Sequence, residues 1–225
     1  MKVELLNSTY EAGKMCAIAA SLCYSSVDID KVSKRFKRND EIKKILRKVV
    51  LAGHYSVLEH ASFTFGVESV SRSLLAQLTR HRIASFSVQS QRYVKFSNDI
   101  EFIIPDAIKK NKSFLKKYSD ILKKIRLLYK EFLDAGILAE DARYILPLAS
   151  PTKLIITMNA RELRHFFSLR CCNRSQSEIR SMACSMLDIV RKKVPELFFN
   201  AGPRCVRKKC KEVSPCGKPW VKVMV

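Results

Sequence analysis

The sequence predicts an α/β fold, a mixed sheet flanked by long helices, and three patterns in its 225 residues carry that prediction. Leu115, Tyr118, Leu122, Ile125, Tyr129 and Phe132 recur at helical spacing over residues 113–133. Phe63 and Phe65 alternate with small polar residues in the run ASFTFGVES, the period of a half-buried strand. The run TKLIITM is apolar and β-rich, and Asn159 with Glu162 after it forms an N-x-x-E capping signature.

Taken in order, KVELL opens as a strand and residues 9–23 have helical composition. Asn39 or Asp40 caps a helix whose Ile42, Ile45, Leu46, Val49 and Val50 share one face, with Gly53 as its stop. After the Phe63/Phe65 strand, SRSLLAQLTR is a short helix. Glu101–Ile104 is expected as a strand closed by Pro105. The helix over 113–133 ends at Gly136, and a shorter one over about 138–145 stops before Pro147. The helix ARELRHFFSLR follows Asn159, and Ser175 with Glu178 repeats the capping signature for a helix running to Pro195. No repeat, low-complexity linker or composition shift marks a boundary, so residues 1–225 read as a single domain with a Cys/Lys-rich tail over 206–225. The strands are too few and irregular for a doubly wound sheet. Neither G-x-G-x-x-G nor G-x-x-x-x-G-K occurs, so the usual dinucleotide and P-loop chemistries are not signalled.

Composition narrows the partners. With 42 Lys and Arg against 21 Asp and Glu, the formal charge of +21 favours anionic ligands: nucleic acid, nucleotides or polyanionic cofactors. Most of the lysine excess lies in KVSKRFKRND, KKNKSFLKKY and RKKC, which read as solvated faces and turns, whereas the arginines cluster elsewhere. No apolar run reaches eighteen residues and the start lacks a signal-peptide stretch, so the expectation is a cytoplasmic protein with no membrane partner. The eight Cys are expected as reduced thiols. Cys205, Cys210 and Cys216 lack the C-x2-C spacing and a nearby His; a zinc site there is the weaker reading, and no metal is expected.

The chemistry concentrates in RHRIASFSVQSQRY. Arg80, His81, Arg82 and Arg92 form a cluster costly to hold together without an anion or an electron-rich ring, and guanidinia suit phosphate. Ser90 has no nucleophile elbow and no base at a recognisable position, so it reads as a hydrogen-bond donor to a bound anion. His54 and His60 lack the usual metal-ligand spacing. On the helix after Asn159, Arg161, Arg164, His165 and Arg170 exceed what solubility requires, with Glu162 the only local acid, which favours an anion-binding face. A basic RNA- or DNA-binding module is the alternative reading, though no recognised nucleic-acid motif supports it.

R-H-R-x7-S, present as Arg80-His81-Arg82 to Ser90, resembles the signature of flavin-dependent thymidylate synthases. GHYSVLEHASFTF, Gln77, DARYILPL and NARELRHFFSLR resemble that family's other blocks in order and spacing, from about residue 50 to 205. The resemblance implies a non-Rossmann homotetramer with active sites shared between subunits. It also implies FAD as cofactor and reductive methylation of dUMP to dTMP, with methylenetetrahydrofolate giving carbon and NADPH giving electrons. Carried over by position, Ser56, Arg80, His81, Arg82, Asn159, Arg161 and His165 match flavin-contacting residues, and His54 a His near the flavin. Gln77, Arg80, Gln89, Ser90, Gln91, Arg92, Arg143 and Arg170 match the dUMP site, Arg170 being the catalytic residue that ionises the uracil imide. No specific nucleic-acid partner is implied. Ser87-Val88 stands where many members carry Asn-Glu, so a side-chain contact expected at Val88 passes to the backbone or to Gln89.

Overall fold

The computed structural model describes residues 1–96 and 100–220; residues 221–225 of the expected tail lie outside the described residues. In chain order the elements are β1 (Lys2–Ser8), α1 (Ala12–Leu22), α2 (Ile29–Arg35), α3 (Asn39–Ala52), a 3-10 turn Tyr55–His60, β2 (Ser62–Ser71), α4 (Arg72–Leu78) and β3 (Ser85–Val88). There follow α5 (Asp106–Lys109), α6 (Lys112–Asp134), α7 (Ala139–Ala142), a 3-10 turn Arg143–Ile145, β4 (Pro151–Asn159), α8 (Ala160–Arg170), α9 (Ser177–Lys193), α10 (Pro195–Phe198) and a 3-10 turn Arg204–Val206.

The strands form one four-stranded sheet in the order β1-β2-β4-β3. It is antiparallel, not mixed in direction as the sequence suggested. The register shows why: Ala160 N–H donates to Ala61 O at 2.7 Å and Arg72 N–H to Ser150 O at 3.0 Å, so the partner number falls as the chain number rises. β4 alternates inward Thr152, Leu154, Ile156 and Met158 with outward Lys153 and Ile155.

The residues group into two compact units. The first holds Met1–Lys2, Val67–Arg80 and Phe86–Ile155. Its long helix α6 starts where Asn111 Oδ1 accepts the Phe114 N–H at 3.1 Å, and it ends at Gly136, whose φ of 85° is open to glycine at little cost. Tyr129 of α6 packs with Ile100 and Ala142, and Phe96, Phe102, Phe132 and Ile145 lie against them. Glu101–Ile104 is not a strand. Phe102 is drawn into this aromatic cluster, and Ile103 N–H finds a single backbone partner, Ala149 O at 2.8 Å.

The second unit holds Val3–Gly66, His81–Ser85 and Ile156–Val225. Here α1, α3, α8, α9 and α10 close over Leu46, Phe63, Phe65, Phe166, Phe167 and Phe198, all fully buried. Edge-to-face contacts join Phe63 to Phe198 (5.4 Å), Phe198 to Phe167 (6.2 Å) and His81 to Phe166 (4.9 Å), so the core runs up to a polar ring. α3 ends at Gly53, φ 82°, as its sequence predicts, but the residue before it is Arg38 with no side-chain cap. At α9 the cap is Gln176, whose Oε1 accepts from Glu178 N–H and Ile179 N–H. Ser175, the residue expected there, donates instead to Leu169 O at 2.8 Å. α2 and the four-residue β3 are too short to show a period and so were not expected from the residue pattern.

All eight Cys are free thiols. Burial, with Glu196 adding repulsion, pushes the Cys16 thiol up to about 12, whereas the Lys218 N–H beside the exposed Cys216 sulfur lowers its pKa. Native protein treated with iodoacetamide near neutral pH is therefore expected to label Cys216 first and to spare Cys16, read by peptide mass spectrometry. Equal labelling of the two would contradict this packing.

Candidate active site

Asn159 ends β4 and starts α8: its Oδ1 accepts the Glu162 N–H at 2.9 Å, which fixes where the helix begins and which residues face inward. Glu162 does not turn back to close a capping box. Its Oε1 lies 3.0 Å from His81 Nδ1 inside the protein, with Glu162 6% and His81 5% exposed. On the far side of the ring, Arg170 Nε donates to His81 Nε2 at 3.1 Å. An arginine can only donate, so Nε2 carries the lone pair and Nδ1 the proton, which it gives to the carboxylate. The imidazole is neutral, of one tautomer, and holds one edge of Arg170. Burial lowers the Arg170 pKa without removing its charge at neutral pH.

A cavity of about 540 Å³ opens beside this line of residues. Asn159, Arg161, Glu162, His165, Tyr55 and Ile83 are among its walls. Arg161 pairs with Glu59, an acid supplied by the 3-10 turn and invisible as a partner in the sequence. Arg164, expected on an anion-binding face, points into the protein, at 2% exposure. It donates to Leu197 O at 2.6 Å and Asn200 Oδ1 at 2.5 Å, and its Cζ lies 5.3 Å from the Tyr55 ring centroid. Burial first, then repulsion from Arg207, lowers its pKa to about 10. Arg164 ties α8 to the α10 end and only edges the cavity, whereas its helix mates Arg161 and His165 meet it as exposed side chains. Ser56 and Arg82 are exposed in the same unit.

Among the described residues the one trio able to hold a metal is His81, Glu162 and His165. His81 is already committed at both nitrogens, and Arg161, Arg164 and Arg207 around the cavity oppose a cation. Cys205, Cys210 and Cys216 do not form such a group among those residues.

The other predicted ligands lie in the first unit. Gln89 is fixed through its backbone: its N–H donates to Lys153 O at 3.0 Å, and its carbonyl accepts from Arg72 Nη2 at 2.9 Å. Ser90 Oγ accepts the Arg92 N–H at 3.2 Å. Arg92 sends Nε (3.0 Å) and Nη2 (2.7 Å) to Glu140, an exposed pair that solvent screens and an anion can displace. Arg143 Nε donates to Glu140 O at 3.1 Å. Gln77 Nε2 donates to Ser73 O at 3.2 Å, and Arg80 is exposed. Arg72 was missed in the sequence, where it is one more basic residue opening a short helix. Desolvation, and then Arg143, lower its pKa. Its Nε and Gln91 Nε2 are buried donors with no partner among the described residues. Unsatisfied donors beside a cluster of guanidinia fit a phosphate-bearing ligand.

The chain matches, over residues 4–196, the family described as thymidylate synthase complementing protein. It is 46% identical over 220 residues to a flavin-dependent thymidylate synthase of Geobacter sulfurreducens, covering 97% of this chain and 94% of the relative. A flavin-dependent thymidylate synthase of Pyrococcus furiosus is 41% identical over 214 residues, covering 92% and 87%. In three dimensions the chain is similar to a UMP/dUMP methylase, PolB from Streptomyces cacaoi, solved with 5-Br dUMP. That match has a TM-score of 0.75 over 88% of this chain and 93% of the other, and at 24% identity it speaks for the fold. The chain belongs to the flavin-dependent thymidylate synthase family, as its R-H-R-x7-S block suggested.

Arg161 and Arg164 of α8 are expected to separate cleanly. Arg164→Ala should cost about 3 kcal/mol, since it strands buried acceptors. Arg161→Ala, losing a solvent-screened pair, should cost about 0.5 kcal/mol or less. Urea denaturation of both variants checks this, and equal losses would refute the division of roles.

Proposed function

We propose that this chain catalyses the reductive methylation of dUMP to dTMP, with methylenetetrahydrofolate giving the carbon, NADPH the electrons and FAD as cofactor, and that it does so as a cytoplasmic homotetramer. The observation that carries the reading is the line Glu162–His81–Arg170, buried at its first two residues and half-buried at the third, which joins the R-H-R-x7-S block to α8. Among the described residues no helix is long and apolar enough to cross a membrane. Phe114, Ile121 and Leu128 of α6, with Tyr144 and Leu148, are large apolar side chains left exposed, which supports burial between subunits. The continuous family match over 4–196 supports one catalytic domain.

In this reading Arg72, Gln77, Arg80, Gln89, Ser90, Gln91, Arg92 and Arg143 bind the nucleotide. The buried donors of Arg72 and Gln91 gain partners on the phosphate, and Arg92 exchanges Glu140 for it. Arg170 meets the uracil ring. Carbon 5 of uracil is a weak nucleophile, and negative charge on the imide activates it. A partly desolvated guanidinium gains more from that charge than a solvated one does, so Arg170 favours the deprotonated imide. His81 is a positioning residue: its neutral ring holds Arg170 by Nε and so leaves the guanidinium aimed, while Glu162 holds the tautomer.

Ser56, Arg80, Arg82, Asn159, Arg161 and His165 hold the flavin, with His81 reaching it through its neighbours. The fit rests on the donor set of the 540 Å³ cavity, where Asn159, Arg161 and His165 converge with exposed cationic charge close by. An antiparallel sheet offers no Rossmann crevice, which supports a cofactor held by these side chains. When bound, the flavin relays the electrons of NADPH to the transferred carbon. No side-chain nucleophile is required.

Purified protein is expected to carry flavin absorption and to form dTMP only when dUMP, methylenetetrahydrofolate and NADPH are all present; colourless protein that takes up no FAD sinks the reading. Arg170→Ala should lower dTMP formation by about 10²-fold or more with flavin retained. Ser90→Ala should weaken dUMP binding by about 1–2 kcal/mol, measured by calorimetry. Loss of turnover at unchanged dUMP affinity would instead make Ser90 a nucleophile.

A further inference from the structure

The family match ends at residue 196, yet the chain beyond it builds a second feature. Between residues 204 and 220 stand Arg204, Arg207, Lys208, Lys209, Lys211 and Lys218 against a single acid, Glu212. Glu212 is drawn aside, 3.9 Å from Arg174 Nε. Among the described residues neither Arg204 nor Lys208, Lys209 or Lys211 makes a side-chain ion pair, and all four are exposed. With Tyr55 and Arg207 they wall a groove of about 310 Å³.

The groove is not isolated. Tyr55 and Arg207 also wall the cavity beside Asn159, Arg161 and His165, and Arg207 Nη1 donates to Tyr55 Oη at 3.4 Å where the two join. A ligand whose reacting end enters the cavity can therefore lay an anionic extension along the groove. The cations decide which kind. Lysines are point charges on flexible stems, suited to carboxylates spaced along a chain, whereas a compact phosphate is better met by an arginine fork or a helix N-terminus. Three of the four exposed cations here are lysines within four residues.

We propose that this groove binds the oligo-γ-glutamate tail of the folate substrate, one carboxylate to each lysine, while the pteridine end works in the adjoining cavity. The proposal rests on the activity given above. The same chemistry would also attract the phosphates of NADPH, and the experiment separates the two sources.

In the flavin-loaded enzyme, KM is measured for the mono- and pentaglutamyl forms of methylenetetrahydrofolate and for NADPH, in the natural chain and in Lys208→Gln/Lys209→Gln/Lys211→Gln. The natural chain is expected to show a KM about tenfold lower for the pentaglutamyl form, from three weak screened contacts. The variant should lose that difference with flavin content, the monoglutamyl KM and the NADPH KM unchanged. Equal KM values in the natural chain, a preference retained in the variant, or a rise confined to NADPH overturns the proposal. A second readout does not need turnover. Trp220, the only tryptophan, shares a cavity wall with Lys208, Lys209 and Lys211. Its emission should change saturably with penta-γ-glutamate peptide in the natural chain and stay constant in the variant. That result without dTMP formation leaves the groove standing and removes the activity; no emission change together with no preference removes the groove alone.

Discussion

A carboxylate, an imidazole and a guanidinium lie in line at the top of an aromatic core, and the second unit is organised around keeping them there. Glu162 and His81 are buried, so each polar atom must have a partner, and the arrangement satisfies them in only one protonation pattern. Protonating His81 would set an N–H against the Arg170 cation. The core enforces the geometry: Phe166 packs edge-on to His81, and Phe167 continues to Phe198 and Phe63. Stability and chemistry are coupled here because the same helix supplies the core residues and the polar line.

That helix also shows how one charge type takes two tasks. Arg164 and Arg161 are three residues apart and so share a side of α8, yet their side chains reach different partners. One leads to the α10 carbonyls, where a buried guanidinium replaces backbone partners the helix end lacks. The other leads to solvent and to Glu59, where the pairing is weak and exchangeable. Both border the cavity, but only the Arg161 pair is weak enough to be exchanged for a ligand.

In the first unit the same distinction falls between Arg72 and Arg92. Arg72 spends one nitrogen on the Gln89 carbonyl and so sets the path of the Gln89–Gln91 segment, the stretch where Val88 offers no polar side chain. Arg92 is held by an exposed carboxylate that competes weakly with a stronger anion. Arg72, at the start of α4, thus anchors the backbone just after Ser87-Val88.

Much of the outline was legible without coordinates. The long helix α6 follows from its apolar period, β4 and α8 from an apolar run and Asn159, and the stops at Gly53 and Gly136 from glycine's freedom at positive φ. The family followed from Arg80-His81-Arg82 and Ser90 at fixed spacing, because such motifs are local in the chain. Strand direction, the Glu162–His81 bond, the Glu59 partner of Arg161 and the inward turn of Arg164 were not legible, since each joins residues 33 to 102 positions apart. Residue types and periods fix what an element can be; which lone pair meets which proton is decided only when distant segments are packed and water is gone.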